Sequence, residues 1–204
     1  MYLIKEQILM TAFDLFSQYG IKSVSMDDIA RQVAISKRTL YESFADKETL
    51  LVEGIEYTRG KFAVFVSSLE KELHTAIDIF LLTFEELMKQ PRWYSRKFYE
   101  DIKRYPRAMK KIEEEKEKVA GLCARLFTRG MKEGIFQTDV NFEIMALLVK
   151  EQLKMQTMPL PFSKHSNREI YSTILTTFLR GISTDKGRSI LDRWLAAGMY
   201  HEIQ

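Results

Sequence analysis

Lys37, Arg38, Thr39, Tyr41 and Ser43 fall in one short run, SKRTLYESF, and offer cations and hydroxyls at helical spacing. Such groups suit a phosphate and a base edge. Lys37 and Arg38 can reach phosphates or the guanine acceptors, Thr39 a phosphate or a thymine methyl, and the Tyr41 hydroxyl a phosphate oxygen. Ser36 is a good N-cap for this segment, and Leu40 and Phe44, four apart, point inward and leave the polar set on the remaining surface. At the start of such a helix the orphan N–H groups and the positive end of the helix dipole favour an anion.

The element before it must hold this helix in place. Ser25 is an N-cap, and Asp28 three residues later can return the hydrogen bond as a capping box. Ile29, Ala30 and Val33 then form one apolar face while Asp27, Arg31 and Gln32 look outward. Two short helices joined by a tight turn over SMDDIARQVAISKRTLYESF read as a helix-turn-helix. An ordinary helical hairpin with a solvated polar face has the same pattern, so the motif leaves both readings open.

The wider segment ILMTAFDLFSQYGIKSVSMDDIARQVAISKRTLYESFADKETLL resembles the N-terminal domain of the TetR family of bacterial transcriptional regulators. The linked matches are the opening helix ILMTAFDLFSQYG, the helix and turn DDIARQVAIS, the recognition helix KRTLYESF and the start of the next helix, DKETLL. The resemblance implies that Ser25, Ser36, Lys37, Thr39, Tyr41 and Lys47 meet the DNA backbone. It also implies base contacts by Lys37 to Thr39 and Ser43, made in the major groove by a dimer. One position departs from the family pattern, because the turn residue usually held by glycine is Ala34, and a non-glycine residue at positive φ costs about 1 kcal/mol. Leu40 and Phe44 are expected in a small core with Ile8, Ala12, Leu15, Phe16 and Ile29.

Bulk charge does not carry the DNA argument. The net charge is +3 over 204 residues, and residues 1 to 47 hold six cationic side chains (Lys5, Lys22, Arg31, Lys37, Arg38, Lys47) and six acidic ones (Glu6, Asp14, Asp27, Asp28, Glu42, Asp46). Placement matters instead, since the cations at 37, 38 and 47 cluster at two helix starts. Tight binding to a specific site then calls for two subunits with their reading helices about one DNA turn apart, roughly 34 to 36 Å.

The chain is expected to be all-α. A three-helix domain over residues 1–46 contains the helix-turn-helix, and a larger helical ligand-binding and dimerisation domain occupies 47–204. A 46% hydrophobic content supplies two cores. Asp46 caps a long helix through Leu50, Leu51, Ile55, Phe62, Phe65, Val66 and Leu69. AIDIFLLTFEELMKQ is apolar enough to be interior, the aromatic-dense PRWYSRKFYEDIKRYP lies between two prolines, and KKIEEEKEKVA is a solvated helix face. Gly134 is a C-cap before QTDVN. FEIMALLVKEQLKMQ is apolar around most of its circumference, which implies contact on more than one side. REIYSTILTTFLRGI places Tyr171, Ile174, Leu175, Phe178 and Ile182 on one stripe and the small Thr173, Thr177 and Gly181 on another, and a last helix is read in SILDRWLAAGMYHEI.

In TetR-like proteins two late helices pair with their copies across a two-fold axis, and segments 142–156 and 168–182 look like that pair. Intramolecular core is the competing reading. The family also implies a cavity for a small-molecule inducer, for which Phe80, Phe84, Met88, Trp93, Tyr94, Phe98 and Tyr99 offer a lining; aromatics at helical spacing are also what an ordinary core uses. Cys123, alone and spaced helically with Val119 and Phe127, reads as a core residue. No apolar run approaches the ~20 residues of a membrane span and no secretory signal is visible, so a soluble, cytoplasmic protein is expected. His74, His165 and His201 share no metal-binding spacing, and no phosphate loop or nucleophile elbow is present. No enzyme, cofactor or metal is therefore expected. The resulting reading is a sequence-specific, homodimeric DNA-binding regulator of a palindromic operator, a repressor released by an inducer. The alternative is an all-helical protein-interaction module using the surface from Ser36 to Phe44.

Overall fold

The computed structural model describes residues 2–72, 74–89, 96–154 and 165–197. The described chain is all-α. Its helices are α1 (Tyr2–Tyr19), α2 (Met26–Val33), α3 (Lys37–Ser43), α4 (Lys47–Lys71), α5 (Ala76–Met88), α6 (Arg96–Ile102), α7 (Pro106–Lys132), α8 (Phe142–Lys154), α9 (Asn167–Ile182) and α10 (Asp185–Ala196). The one strand-like pairing among the described residues is an isolated antiparallel bridge between Phe136 and Ser183. No described helix is long and apolar enough to cross a membrane.

Two compact units divide these elements, and α4, α7 and α8 contribute residues to both. In the first unit α1 supplies Ile8, Leu9, Ala12, Phe13 and Phe16, the inner face of a 3.6-residue repeat. They pack with Ile29 of α2, Leu40 of α3, Phe44, and Leu50, Leu51 and Ile55 of α4. Each fully buried Leu, Ile or Phe contributes about 1.5–3 kcal/mol of transfer free energy, which is how a helix as short as α3 is kept folded. Leu15, expected in this core, only flanks it, and Phe13 is buried instead. Phe98, Tyr99 and Ile102 of α6 and Ala108 of α7 complete the same cluster. Phe13 and Phe98 meet with ring centroids 5.9 Å apart.

The second unit is built around four phenylalanines. Phe127 of α7 lies 5.3 Å from Phe80 of α5 and 5.0 Å from Phe142 of α8, centroid to centroid, and Phe136 closes the group. Gly130 makes this packing possible, because a Cβ there would stand 2.1 Å from the Phe136 ring. Thr75 and Asp78 form a capping box at α5, and Asp78 also accepts from the Trp194 indole at 2.6 Å. Arg168 of α9 grips Glu85 of α5 through both guanidinium nitrogens, at 2.9 and 3.2 Å.

Two expectations for this unit change. α10 begins at Asp185, ahead of the SILDRWLAAG run, because Thr184 caps it by accepting from the Gly187 amide at 3.3 Å. On α8, Phe142 and Ala146 are buried, but Ile144, Leu147 and Leu148 remain 53%, 56% and 45% exposed. Among the described residues, this helix therefore has one buried face and one exposed apolar face.

Gly54 on α4 carries a constraint of the same kind as Gly130, since a Cβ at that position would lie 1.9 Å from Cε2 of Phe13. Gly54→Ala is expected to lower unfolding free energy by roughly 1–3 kcal/mol through overpacking of the α1–α4 contact, measured as a lower urea midpoint with unchanged m-value.

Candidate nucleic-acid interface

Local chemistry builds the α2–α3 pair. Ser25, at φ −87° and ψ 163°, accepts from the Asp28 amide at 3.1 Å, and Asp28 Oδ2 accepts from the Ser25 amide at 2.9 Å and its hydroxyl at 2.6 Å. These bonds to the ionised carboxylate hold Asp28 below its usual pKa, with the Ser25 hydroxyl the largest cause. α2 ends in a Schellman arrangement: the Ala34 amide donates to Arg31 O at 3.1 Å and the Ile35 amide to Ala30 O at 3.0 Å. Ala34 sits at φ 59°, the single non-glycine residue with positive φ among the described residues. Ser36 then caps α3, accepting from the Thr39 amide at 3.0 Å, with its hydroxyl 2.8 Å from that of Thr39. α3 ends at Ser43, and Phe44 turns to extended backbone with its ring buried.

The outer face of α3 gathers most of the expected contact residues. Lys37, Arg38 and Tyr41 are exposed, Thr39 and Ser43 are half-buried, and Leu40 alone in the helix is buried. The polar atoms of Lys37, Arg38, Thr39 and Ser43 are already engaged. Lys37 pairs with Asp27 in the first turn of α2, Arg38 Nε donates to Glu42 at 2.8 Å, and the Ser43 hydroxyl donates to Thr39 O at 3.1 Å. Ion pairs this exposed contribute at most about 1 kcal/mol, so a phosphate can replace either carboxylate. Ser25 stands at the start of α2 with its hydroxyl committed to the cap.

Lys47 departs from this pattern. Its ammonium is half-buried and donates to the backbone carbonyls of Ile21, at 2.9 Å, and Val24. Burial lowers its pKa, and the Asp101 and Asp28 carboxylates act in the opposite sense. Neither the Lys47 ties nor the Lys37 to Asp27 pair is legible from local sequence. Both join residues ten or more positions apart, and only the closed fold chooses the partner.

With this geometry established, comparison with known proteins places the domain. Residues 8–53 match the family model "Bacterial regulatory proteins, tetR family". The helix-turn-helix region is therefore similar to the DNA-binding domain of that family. An uncharacterized HTH-type transcriptional regulator, YerO of Bacillus subtilis (strain 168), is 33% identical over 69 residues, 34% of this chain and 24% of the relative. The chain spans between about a quarter and a half of the length of such curated relatives. Two solved structures share the fold across nearly the whole chain. A TetR-family regulator from Agrobacterium tumefaciens has a TM-score of 0.73 at 15% identity, covering 90% of this chain and 99% of its own. A gamma-butyrolactone receptor, described as ArpA-like, has a TM-score of 0.70 at 14% identity, covering 99% and 98%.

The residues expected to receive an inducer separate in the structure. Phe98 and Tyr99 are buried in the core of the first unit, whereas Phe80 and Phe84 are buried in the second and Met88 is half-buried there. Trp93 and Tyr94 lie outside the described residues. Cys123 is buried, and burial pushes its thiol up to about 12, so it is a protonated core side chain at neutral pH.

Two substitutions test the local construction. Ala34 is exposed, so Ala34→Gly gives up no packing. It relieves about 1–2 kcal/mol of left-handed strain against about 0.4–1 kcal/mol of added freedom in the unfolded chain, and a small net rise in thermal midpoint is expected. Asp28 contributes stability above its unfolded pKa, and that contribution disappears as pH falls through its lowered folded value. Ser25→Ala should therefore lower stability at pH 7 and flatten its decline toward pH 3, as read by urea titrations at both values.

Proposed function

We propose that the protein is a dimeric, sequence-specific DNA-binding repressor, acting on bacterial DNA in the cytoplasm and released from a palindromic operator by a small molecule. The observation that carries this reading is the exposed set Lys37, Arg38, Thr39 and Tyr41 on a capped helix within a TetR-type domain. In the proposed complex α3 enters the major groove. Lys37 exchanges Asp27 for a phosphate or a guanine edge, Arg38 exchanges Glu42 likewise, Thr39 and Ser43 approach the bases, and Ser25, Ser36 and Tyr41 approach the backbone.

Dimerisation follows from α8 and α9. Ile144, Leu147 and Leu148 expose a continuous apolar strip on α8, spaced i, i+3, i+4. On α9 the exposed Thr173, Thr177 and Gly181 offer a surface of small side chains, and a Cβ at Gly181 would meet nothing within 4 Å. A second copy would cover both in an isologous C2 interface, the commonest symmetric solution. For the inducer, Phe80, Phe84 and Met88 of α5 are the proposed contacts in the second unit, since Phe98 and Tyr99 belong to the core of the first. A shared fold with a gamma-butyrolactone receptor makes a small organic effector a reasonable class to screen.

Selection of the purified protein on random duplex DNA tests the reading directly. An enriched palindrome is expected, with Lys37→Ala and Tyr41→Phe weakening binding to it while helicity and size are kept. Failure to enrich any duplex would instead favour a protein-interaction surface at Ser36 to Phe44. Asp27→Asn frees Lys37 and removes a charge that repels phosphate, so its operator affinity should rise by roughly two- to fivefold at fixed salt. Leu147→Glu should give a monomer by sedimentation and lose tight operator binding, and a variant that stays dimeric would rule out α8 as the interface.

A further inference from the structure

The turn from Gly20 to Val24 joins α1 to the reading pair, and its backbone polar groups are satisfied by side chains from far along the chain. Asp101, on α6, accepts the Lys22 amide at 2.8 Å. Lys47, the first residue of α4, donates to Ile21 O at 2.9 Å and to Val24 O. Ile21 and Val24 are buried, so these carbonyls have little access to water and must find a partner within the protein. Gly20 is shaped to the same contact. It lies at φ +85°, and a Cβ there would stand 2.8 Å from Asp101 Oδ2.

The neighbouring residues extend the connection. Glu48 accepts the Arg107 amide at 2.7 Å in the first turn of α7, and Asp46 caps α4 through the Thr49 amide at 2.6 Å. The first turn of α4 therefore holds the α1–α2 turn with one residue and the start of α7 with the next. Two of the three ammonium N–H groups are committed to these half-buried carbonyls, which ties Lys47 to the turn and leaves one donor for any other partner.

We infer that Lys47 and Asp101 are positioning residues for DNA reading: they clamp the turn 20–24 from its carbonyl and amide sides and so fix the stance of α2 and α3. Lys47 acts through this turn and not through a phosphate. The inference rests on the DNA-reading function proposed above.

The two roles open to Lys47 differ in salt dependence. A lost phosphate contact reduces the slope of log K against log[salt] by about 0.9, hence by about 1.8 for a dimer. Lys47→Met should lower affinity for the selected operator while the slope stays that of wild type, and Lys47→Arg, which keeps the donors, should recover part of the loss. Asp101→Ala makes the protein more positive, so charge alone would tighten binding. The clamp requires the opposite, a loss of at least about fivefold, with Asp101→Asn, which keeps an acceptor, closer to wild type.

A slope reduced by about 1.8 in Lys47→Met, or operator binding by Asp101→Ala equal to or tighter than wild type, would overturn the inference. Should Asp101→Ala fail to fold, amide exchange at Lys22 in the free wild-type protein decides: slow exchange is expected, and an unprotected rate refutes the clamp. A wild-type protein that selects no duplex at all would refute the proposed function, a result distinct from each of these.

Discussion

The burial of Leu40 and Phe44 against α1 is the contact on which the reading surface depends. α3 spans Lys37–Ser43 and has one buried side chain of its own, Leu40, so nothing within it could keep it helical in water. Its order comes from outside. Ile8, Ala12 and Phe16 of α1 and Ile29 of α2 are each completely buried in the cluster that receives Leu40. That division of labour leaves the remaining positions of α3 free to carry cations and hydroxyls, because none of them is needed for packing. A regulator can change the outer residues and keep its fold.

The same economy explains which parts of the structure are legible in the sequence. Capping is local: Ser25 with Asp28, Ser36 with Thr39, and Asp46 with Thr49 each act over three residues, so residue type and spacing reveal them. Helical periodicity is local too, and it places Ile8, Ala12, Phe16 and Ile29 correctly. Long-range choice is not. Phe98 and Tyr99 are aromatics that could face a ligand, but both lie in the first unit's core, where Phe98 meets Phe13 from more than eighty residues away in the sequence. Leu15 and Phe13 are both apolar and near in register, and the close approach of α4 at Gly54 selects Phe13. The α10 boundary was misplaced for a simpler reason, since Thr184 is a good cap whose signal is masked by the polar DKGR that follows it.

Polar groups show a second layer of organisation. The exposed cations of α3 are neutralised by neighbours, Asp27 for Lys37 and Glu42 for Arg38. Residues 1–47 also carry equal numbers of acidic and basic side chains, so bulk charge gives the proposed DNA reading no general attraction. In the proposed complex, attraction would be released only where a phosphate is positioned well enough to replace a carboxylate. Such pairing would there weaken non-specific binding more than specific binding, the discrimination a regulator among many competing sites requires.

Lys47 shows why a residue's identity and its place at a helix start do not settle its role. A lysine beginning α4 carries the charge expected of a phosphate contact, yet its ammonium is spent on the carbonyls of a turn whose buried flanks, Ile21 and Val24, exclude water. Removing that ammonium would leave two buried carbonyls unpaired, a cost of about 1–3 kcal/mol each. The same calculation applies to Asp101, whose carboxylate reaches the Lys22 amide because Gly20 has no side chain in the way. Together these contacts make the stance of the reading helices a property of α4 and α6. Any event that shifts the first turn of α4 against the end of α6 must break or stretch a hydrogen bond to this turn, so the clamp converts a small displacement into a change at the DNA-facing surface.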